Sequence, residues 1–156
     1  LGNIGAKVAK IAEAFGMKVC YFSTSGTGHC KDYPCLELEE LLKVSDIVSI
    51  HAPLNARTKN LIGREQLAMM KPTAYLVNAG RGAIIVEEDL AEAVDAGTIA
   101  GAGIDVFVTE PVPENHPYLK MKHPERMRLT PHVAWASIEA RKRLIDIMAD
   151  NIKKGW

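Results

Sequence analysis

The chain has 156 residues, room for one domain with a substantial hydrophobic core and too little for two. Its 19 basic residues balance 19 acidic ones and 47% of its residues are hydrophobic, which excludes a disordered chain and supplies no net field for nucleic acid or an anionic membrane. The longest apolar runs are interrupted by glycines and Asp105 and are too short to span a bilayer.

In chain order, Ile4, Val8, Ile11, Ala12 and Phe15 recur at helical spacing, and Gly16 supplies a stop before residues 17–22, which read as a strand. Residues 36–42 pattern as a helix, 46–50 as a strand, 65–70 as a short helix and 74–78 as a strand. A helix over 87–96 carries acids in its first turn and Gly97 just beyond its end, and 99–107 returns as a strand. Pro111, Pro113, Pro117 and Pro124 keep 108–126 irregular, a length that points to a functional loop. A short strand at 127–129 precedes the longest helix, 135–152, whose stripe includes Ile138, Leu144, Ile145, Ile147, Met148 and Ile152. This alternation predicts an α/β fold, a Rossmann-like doubly wound and mostly parallel sheet with helices on both faces, with residues 1–156 as one dinucleotide-binding domain.

The opening run Leu1-Gly2-Asn3-Ile4-Gly5 has the glycine spacing that lets amides at a helix N-terminus approach a pyrophosphate. Gly2, Asn3, Ile4 and Gly5 are therefore candidate cofactor contacts; the alternative is a close helix–strand contact made by small residues. The full fingerprint has one more glycine and a strand before Leu1, so the first central strand is expected to be absent from the chain. The acid that holds the ribose hydroxyls, expected at the end of the next strand, is replaced by Ser23. No arginine stands nearby in sequence to attract a 2′-phosphate, and His29 and Lys31 are the substitutes, so NAD and NADP are both open with NAD slightly favoured.

Arg81 follows a predicted strand end, where its guanidinium can clamp a carboxylate through two parallel bonds or can pair with Glu87 or Glu88 to tie down a turn. His132 lies between the last strand and the last helix and can exchange protons near neutrality; Glu110, after another strand end, can fix its tautomer. A parallel sheet gathers such residues at one edge, and one arginine with one histidine meets the two demands of a 2-oxo acid, carboxylate binding and proton delivery. His51 and Pro53 follow strand 46–50 and either border the cofactor or form a structural turn, while His116 and His123 have no evident partner. Cys20, Cys30 and Cys35 leave one thiol unpaired in any disulfide scheme, which predicts a reducing, cytoplasmic setting, and their spacing predicts no metal site. No secretory or transit segment is visible.

Six blocks, Leu1-Gly2-Asn3-Ile4-Gly5, Phe15-Gly16-Met17-Lys18-Val19, His51-Ala52-Pro53-Leu54, Asn78-Ala79-Gly80-Arg81-Gly82, Gly103-Ile104-Asp105-Val106-Phe107 and Thr130-Pro131-His132-Val133-Ala134-Trp135-Ala136, together resemble the D-isomer-specific 2-hydroxyacid dehydrogenase family. They occur in the family's order and span essentially the whole chain. The resemblance implies hydride transfer between NAD or NADP and a D-2-hydroxy acid/2-oxo acid pair. Arg81 would bind the substrate carboxylate, His132 would be the acid/base and Glu110 its partner. Asp105 would lie close to the nicotinamide, and His51, Pro53 and Asn78 would border the cofactor. Trp135 resembles the glycerate dehydrogenase/hydroxypyruvate reductase branch. The resemblance also implies a larger two-domain enzyme, with a substrate domain from flanking sequence, a homodimer as the full-length parent, and an inactive isolated fragment. A second reading on the same fold is a dehydrogenase-like, nucleotide-sensing protein-interaction module.

Overall fold

The computed structural model describes residues 1–28 and 30–155. Helices α1 (Asn3–Ala14) and α2 (Leu38–Val44) come first, followed by β1 (Ile47–Ile50), α3 (Arg64–Met69), β2 (Tyr75–Asn78), α4 (Glu87–Asp95), β3 (Gly101–Ile104), β4 (Met127–Leu129) and α5 (Ile138–Lys153). The strands form one wholly parallel sheet in the order β1-β2-β3-β4. Parallel neighbours need crossovers, which α3 supplies between β1 and β2, α4 between β2 and β3, and the irregular stretch after β3 between β3 and β4.

The register aligns Val48, Leu76, Ala102 and Met127 in one row and Ile50, Asn78, Ile104 and Leu129 in the next. These rows share one face of the sheet because strand side chains alternate with a period of two. Leu41 and Leu42 of α2, Leu67 of α3 and Leu90 and Val94 of α4 join that face in a single core, and burying a leucine of this kind stabilises by about 1.5–3 kcal/mol. On the other face Ile47 and Tyr75 are each 51% exposed.

Helix α4 opens on Glu87, Glu88 and Asp89, which suit the positive end of the helix dipole. It closes where Gly97, at φ +73°, lets Thr98 N–H donate back to Ala93 O at 2.8 Å. Helix α5 begins at Ile138, later than its pattern predicts, because the Ser137 hydroxyl accepts from Ala140 N–H at 3.1 Å and sets the start there. Its apolar stripe stays exposed, Ile138, Ile145 and Ile152 included, as do Ile4 and Ile11 of α1 and Phe15 just past its end.

Residues 17–22, expected to be a strand, make no ladder: Tyr21 alone forms a bridge, to Cys35, with Tyr21 N–H donating to Pro34 O at 3.0 Å. An extended segment becomes a strand only where a neighbour runs beside it, and between this segment and β1 lies a cleft. The strand expected over 99–107 is confined to Gly101–Ile104, and past it the chain turns into the loop that carries Glu110. The irregular stretch 108–126 holds two short 3-10 helices, Pro117–Leu119 and Pro124–Arg126. No helix among the described residues is long and apolar enough to cross a membrane.

Candidate active site

The carboxyl ends of all four strands point the same way, as a parallel sheet requires, and each leads directly into a candidate residue. His51 follows β1, Asn78 closes β2 and leads to Arg81, Asp105 follows β3 on the way to Glu110, and Thr130 follows β4 on the way to His132.

His132 Nδ1 and Glu110 Oε2 lie 2.8 Å apart, both side chains about three-eighths exposed at 38% and 37%. With Nδ1 engaged by the carboxylate, Nε2 is the ring atom left for proton exchange. Glu110 is itself fixed, because its Oε1 accepts the Phe107 amide at 3.0 Å. The bond from His132, then that amide, hold the Glu110 carboxyl below its ordinary range.

His132 sits at φ +54°, a backbone region that non-glycine residues rarely adopt. Its loop is fastened to β3: His132 N–H donates to Asp105 O at 2.8 Å, and the Asp105 carboxylate accepts from Thr130 Oγ1 at 2.5 Å and from the Val133 and Ala134 amides at 2.9 Å each. Burial pushes the Asp105 carboxyl up, but those three bonds and the nearby His132 outweigh it and hold the group below its ordinary value. The Trp135 indole closes the turn by donating to His132 O at 2.9 Å. Asp105, singled out for the cofactor, thus also positions the histidine loop.

Asn78 does equivalent work after β2. Only 1% exposed, it accepts from Gly80 N–H at 3.0 Å and donates to Arg81 O at 2.9 Å. Arg81 next to it is exposed, donates to Gly80 O at 2.8 Å and makes no ion pair among the described residues. The pairing with Glu87 or Glu88 that would have made it a turn brace is not formed, so its guanidinium is free to meet an anion. Gly82 then packs so closely on Phe107 that a Cβ would collide with the Phe107 carbonyl. That contact brings the Arg81 loop against the Phe107–Glu110 loop.

His116 and His123, without evident partners in the sequence, have them in the fold. His116, 4% exposed, places Nε2 3.1 Å from Glu87 Oε2 and accepts from Tyr118 N–H at Nδ1. His116 Nε2 is close to that carboxylate without hydrogen-bonding to it, and it is Glu87 Oε1, accepting from Val108 N–H at 2.9 Å, that braces the same loop from behind. His123 Nδ1 lies 3.2 Å from Glu125.

Of the proposed cofactor residues, Gly2, Gly5, Ser23, His51 and Pro53 line a cleft of about 1320 Å³ between α1, residues 17–22 and β1, whereas Asn3, Ile4, Asn78 and Asp105 do not line it. Gly2 is the N-cap of α1 and makes no side-chain cap, so the first-turn amides, those of Asn3, Ile4 and Gly5, are not satisfied by a capping side chain. Gly5 faces His51, and a Cβ there would sit 3.6 Å from His51 Cβ, an ordinary contact distance. His51 bonds Ser49 through Nε2 at 2.9 Å, and burial lowers its pKa, favouring the neutral ring. Pro53 lies on the same wall, and its carbonyl accepts from the buried Thr58 hydroxyl at 2.6 Å. This donor set fits a dinucleotide phosphate.

Ser23 bends its hydroxyl to Thr27 O at 2.7 Å. It faces a smaller annex of about 340 Å³, which shares Phe22, Ser23, Thr24, Leu36 and Leu61 with the large cleft. Arg57 lines this annex, although no arginine is near Ser23 in sequence. Only the folding of the loop after β1 onto the Ser23 turn brings them together, and an arginine in a loop after a strand end was the one sequence signal for it. Lys31 does not line the annex, and His29 lies outside the described residues.

A parallel sheet with an acid–base pair at its carboxyl edge, and glycines opening a helix beside that edge, is the architecture of the dinucleotide-binding domains of oxidoreductases. A family model described as D-isomer specific 2-hydroxyacid dehydrogenase, NAD binding domain, matches residues 1–134, and the chain belongs to this family. It is 39% identical over 155 residues to a hydroxypyruvate reductase of Blautia hydrogenotrophica, covering 98% of this chain and 47% of that relative. Among solved structures it matches an NADPH-dependent glyoxylate/hydroxypyruvate reductase of Sinorhizobium meliloti with a TM-score of 0.86 and 34% identity, covering 98% of this chain and 47% of that one. It also matches the NAD-complexed D-isomer specific 2-hydroxyacid dehydrogenase of Lactobacillus delbrueckii ssp. bulgaricus, with a TM-score of 0.85 and 30% identity over 98% of this chain and 51% of that one. The chain spans about half the length of the curated relatives it matches.

Proposed function

We propose that this chain is the cofactor-binding part of a two-domain, NAD(P)-dependent reductase that interconverts a 2-oxo acid and its D-2-hydroxy acid, with hydroxypyruvate/glycerate as the pair. The observation that carries the reading is the His132–Glu110 bond of 2.8 Å at the same sheet edge as an unpaired Arg81.

A bound dihydronicotinamide supplies the hydride to the carbonyl carbon. Arg81 holds the substrate carboxylate by a two-point grip, which orients the 2-oxo carbon. As negative charge develops on the carbonyl oxygen, His132 delivers a proton from Nε2; in the reverse direction Nε2 removes it. Glu110 holds Nδ1–H throughout and balances the charge on the ring. Gly2, Asn3, Ile4 and Gly5 receive the pyrophosphate, Ser23 faces the adenosine side, and His51, Pro53, Asn78 and Asp105 shape the remaining wall.

The cleft beside β1 accommodates a further strand of the same polypeptide, and a substrate domain from flanking sequence closes over Arg81 and His132. In that arrangement the exposed faces of α1 and α5 are covered, the intact protein is a homodimer, and the chain by itself turns over little. Three free thiols suit a reducing cytoplasm.

The test is His132→Gln in the intact protein. Cofactor-linked reduction of hydroxypyruvate should fall by roughly 10²–10⁴ while dinucleotide binding by fluorescence titration is kept. Near-parental turnover with cofactor bound would sink the assignment.

A further inference from the structure

The annex beside Ser23 contains one feature the chemistry at the sheet edge does not use. Arg57 and Glu37, of opposite charge, both line it, together with Ser23, Thr24 and Gly26. Both side chains are exposed, and neither makes an ion pair with the other or with any described residue.

Their backbones are well held. Asn55 Oδ1 accepts from Arg57 N–H at 2.8 Å and from Thr58 N–H at 3.2 Å, and Thr58 anchors the turn through its hydroxyl on Pro53 O. Glu37 is the N-cap residue of α2. Two charges on rigid supports, facing one pocket and left unpaired, are poised for a ligand that offers either a donor or an anion at the same point.

The annex opens from the cleft whose other end is the N-terminus of α1, so a dinucleotide with its pyrophosphate on those amides directs its adenosine here. Resting on the cofactor-binding reading above, we propose that Glu37 and Arg57 jointly set the choice between NAD and NADP. Glu37 accepts a hydrogen bond from the ribose 2′-hydroxyl of NAD, and Arg57 pairs with the 2′-phosphate of NADP. Ser23, with its hydroxyl turned to Thr27 O, neither repels the phosphate nor attracts it. The two charges oppose each other, so the protein uses both cofactors with weak discrimination.

Binding of NADH and NADPH to the intact protein, followed by nicotinamide fluorescence without substrate, tests this directly. The parent should bind both within about thirtyfold of each other. Arg57→Met should weaken NADPH about tenfold or more and NADH by less than about twofold, because only the phosphate loses a charge-assisted bond. Arg57→Lys should recover part of that loss. Glu37→Gln should move the ratio the other way, strengthening NADPH by relieving repulsion of the phosphate. Raising salt should weaken NADPH more than NADH in the parent and erase that difference in Arg57→Met. An NADPH-to-NADH ratio unchanged by both substitutions overturns the assignment while leaving cofactor binding intact; failure of either dinucleotide to bind the parent overturns the cofactor reading and this one with it.

Discussion

At the carboxyl edge of the sheet, the loops after β2, β3 and β4 are laced to one another. Asp105 accepts from Thr130, Val133 and Ala134, Asn78 spans its own turn, and Glu87 reaches Val108. The cleft beside β1 has little of this: α1 buries only Gly5 and Ala9, and Ile47 on the cleft wall is half exposed. Proton-transfer groups need a fixed geometry, which buried polar anchors supply. The cleft is lined instead mainly by glycines and aliphatic side chains.

The difference is sharpest for glycine. Gly82→Ala should lose about 3 kcal/mol or more of folding stability, because the new methyl meets the Phe107 backbone, which cannot yield cheaply. Gly5→Ala meets only the end of the Leu1 side chain at 3.3 Å and should lose less than about 1 kcal/mol. Urea denaturation of both variants measures the contrast, and equal losses would mean that the two regions are equally tight.

Asp105→Ala comes next, with an expected loss of about 2–4 kcal/mol from the donors it leaves unpaired. Because those donors hold the positive-φ histidine, the His132 side-chain NMR signals should broaden or split in this variant. Unchanged signals would show that the loop is held by other means.

Arg81→Lys should leave stability within about 0.5 kcal/mol, since the guanidinium bonds only Gly80 O, and should raise the KM for the oxo acid about tenfold or more in the intact protein. Steady-state kinetics distinguish this from a fold defect; an unchanged KM would remove Arg81 from carboxylate binding.

The smallest effects separate the regions by pH. Glu110 has a depressed folded pKa, so its contribution is complete above about 4.3, the ordinary glutamate value, and is lost as pH falls through the folded value. His51 is also depressed, by burial, so the unfolded chain takes up its proton first. Stability then starts to fall below about 6.5 and levels off under the folded value. Stability measured from neutral to acid pH should lose its upper slope in His51→Gln and its lower slope in Glu110→Gln. Curves that coincide with the parent in both variants would discount both environments.

Local signals decided much of this protein in advance. Periodicity and end signals marked α1, α4 and α5 and the strands β1, β2 and β4 to within a few residues, because helical repeat, capping and strand alternation are properties of neighbouring residues. Strand ends pointed to Arg81, Glu110 and His132, since a parallel sheet aligns its carboxyl edge whatever its detailed packing. The tertiary structure decided what depends on distant partners. Residues 17–22 carry a strand pattern yet form only the Tyr21 bridge, because a ladder needs a neighbour that the pattern does not specify. His116 meets Glu87, Asp105 grips the loop of His132, and Arg57 reaches the pocket of Ser23 only because separate loops fold onto one another. The sequence determined which chemical groups stand at the ends of strands; the fold alone determined which of them remain free to act, since pairing and burial depend on partners far along the chain.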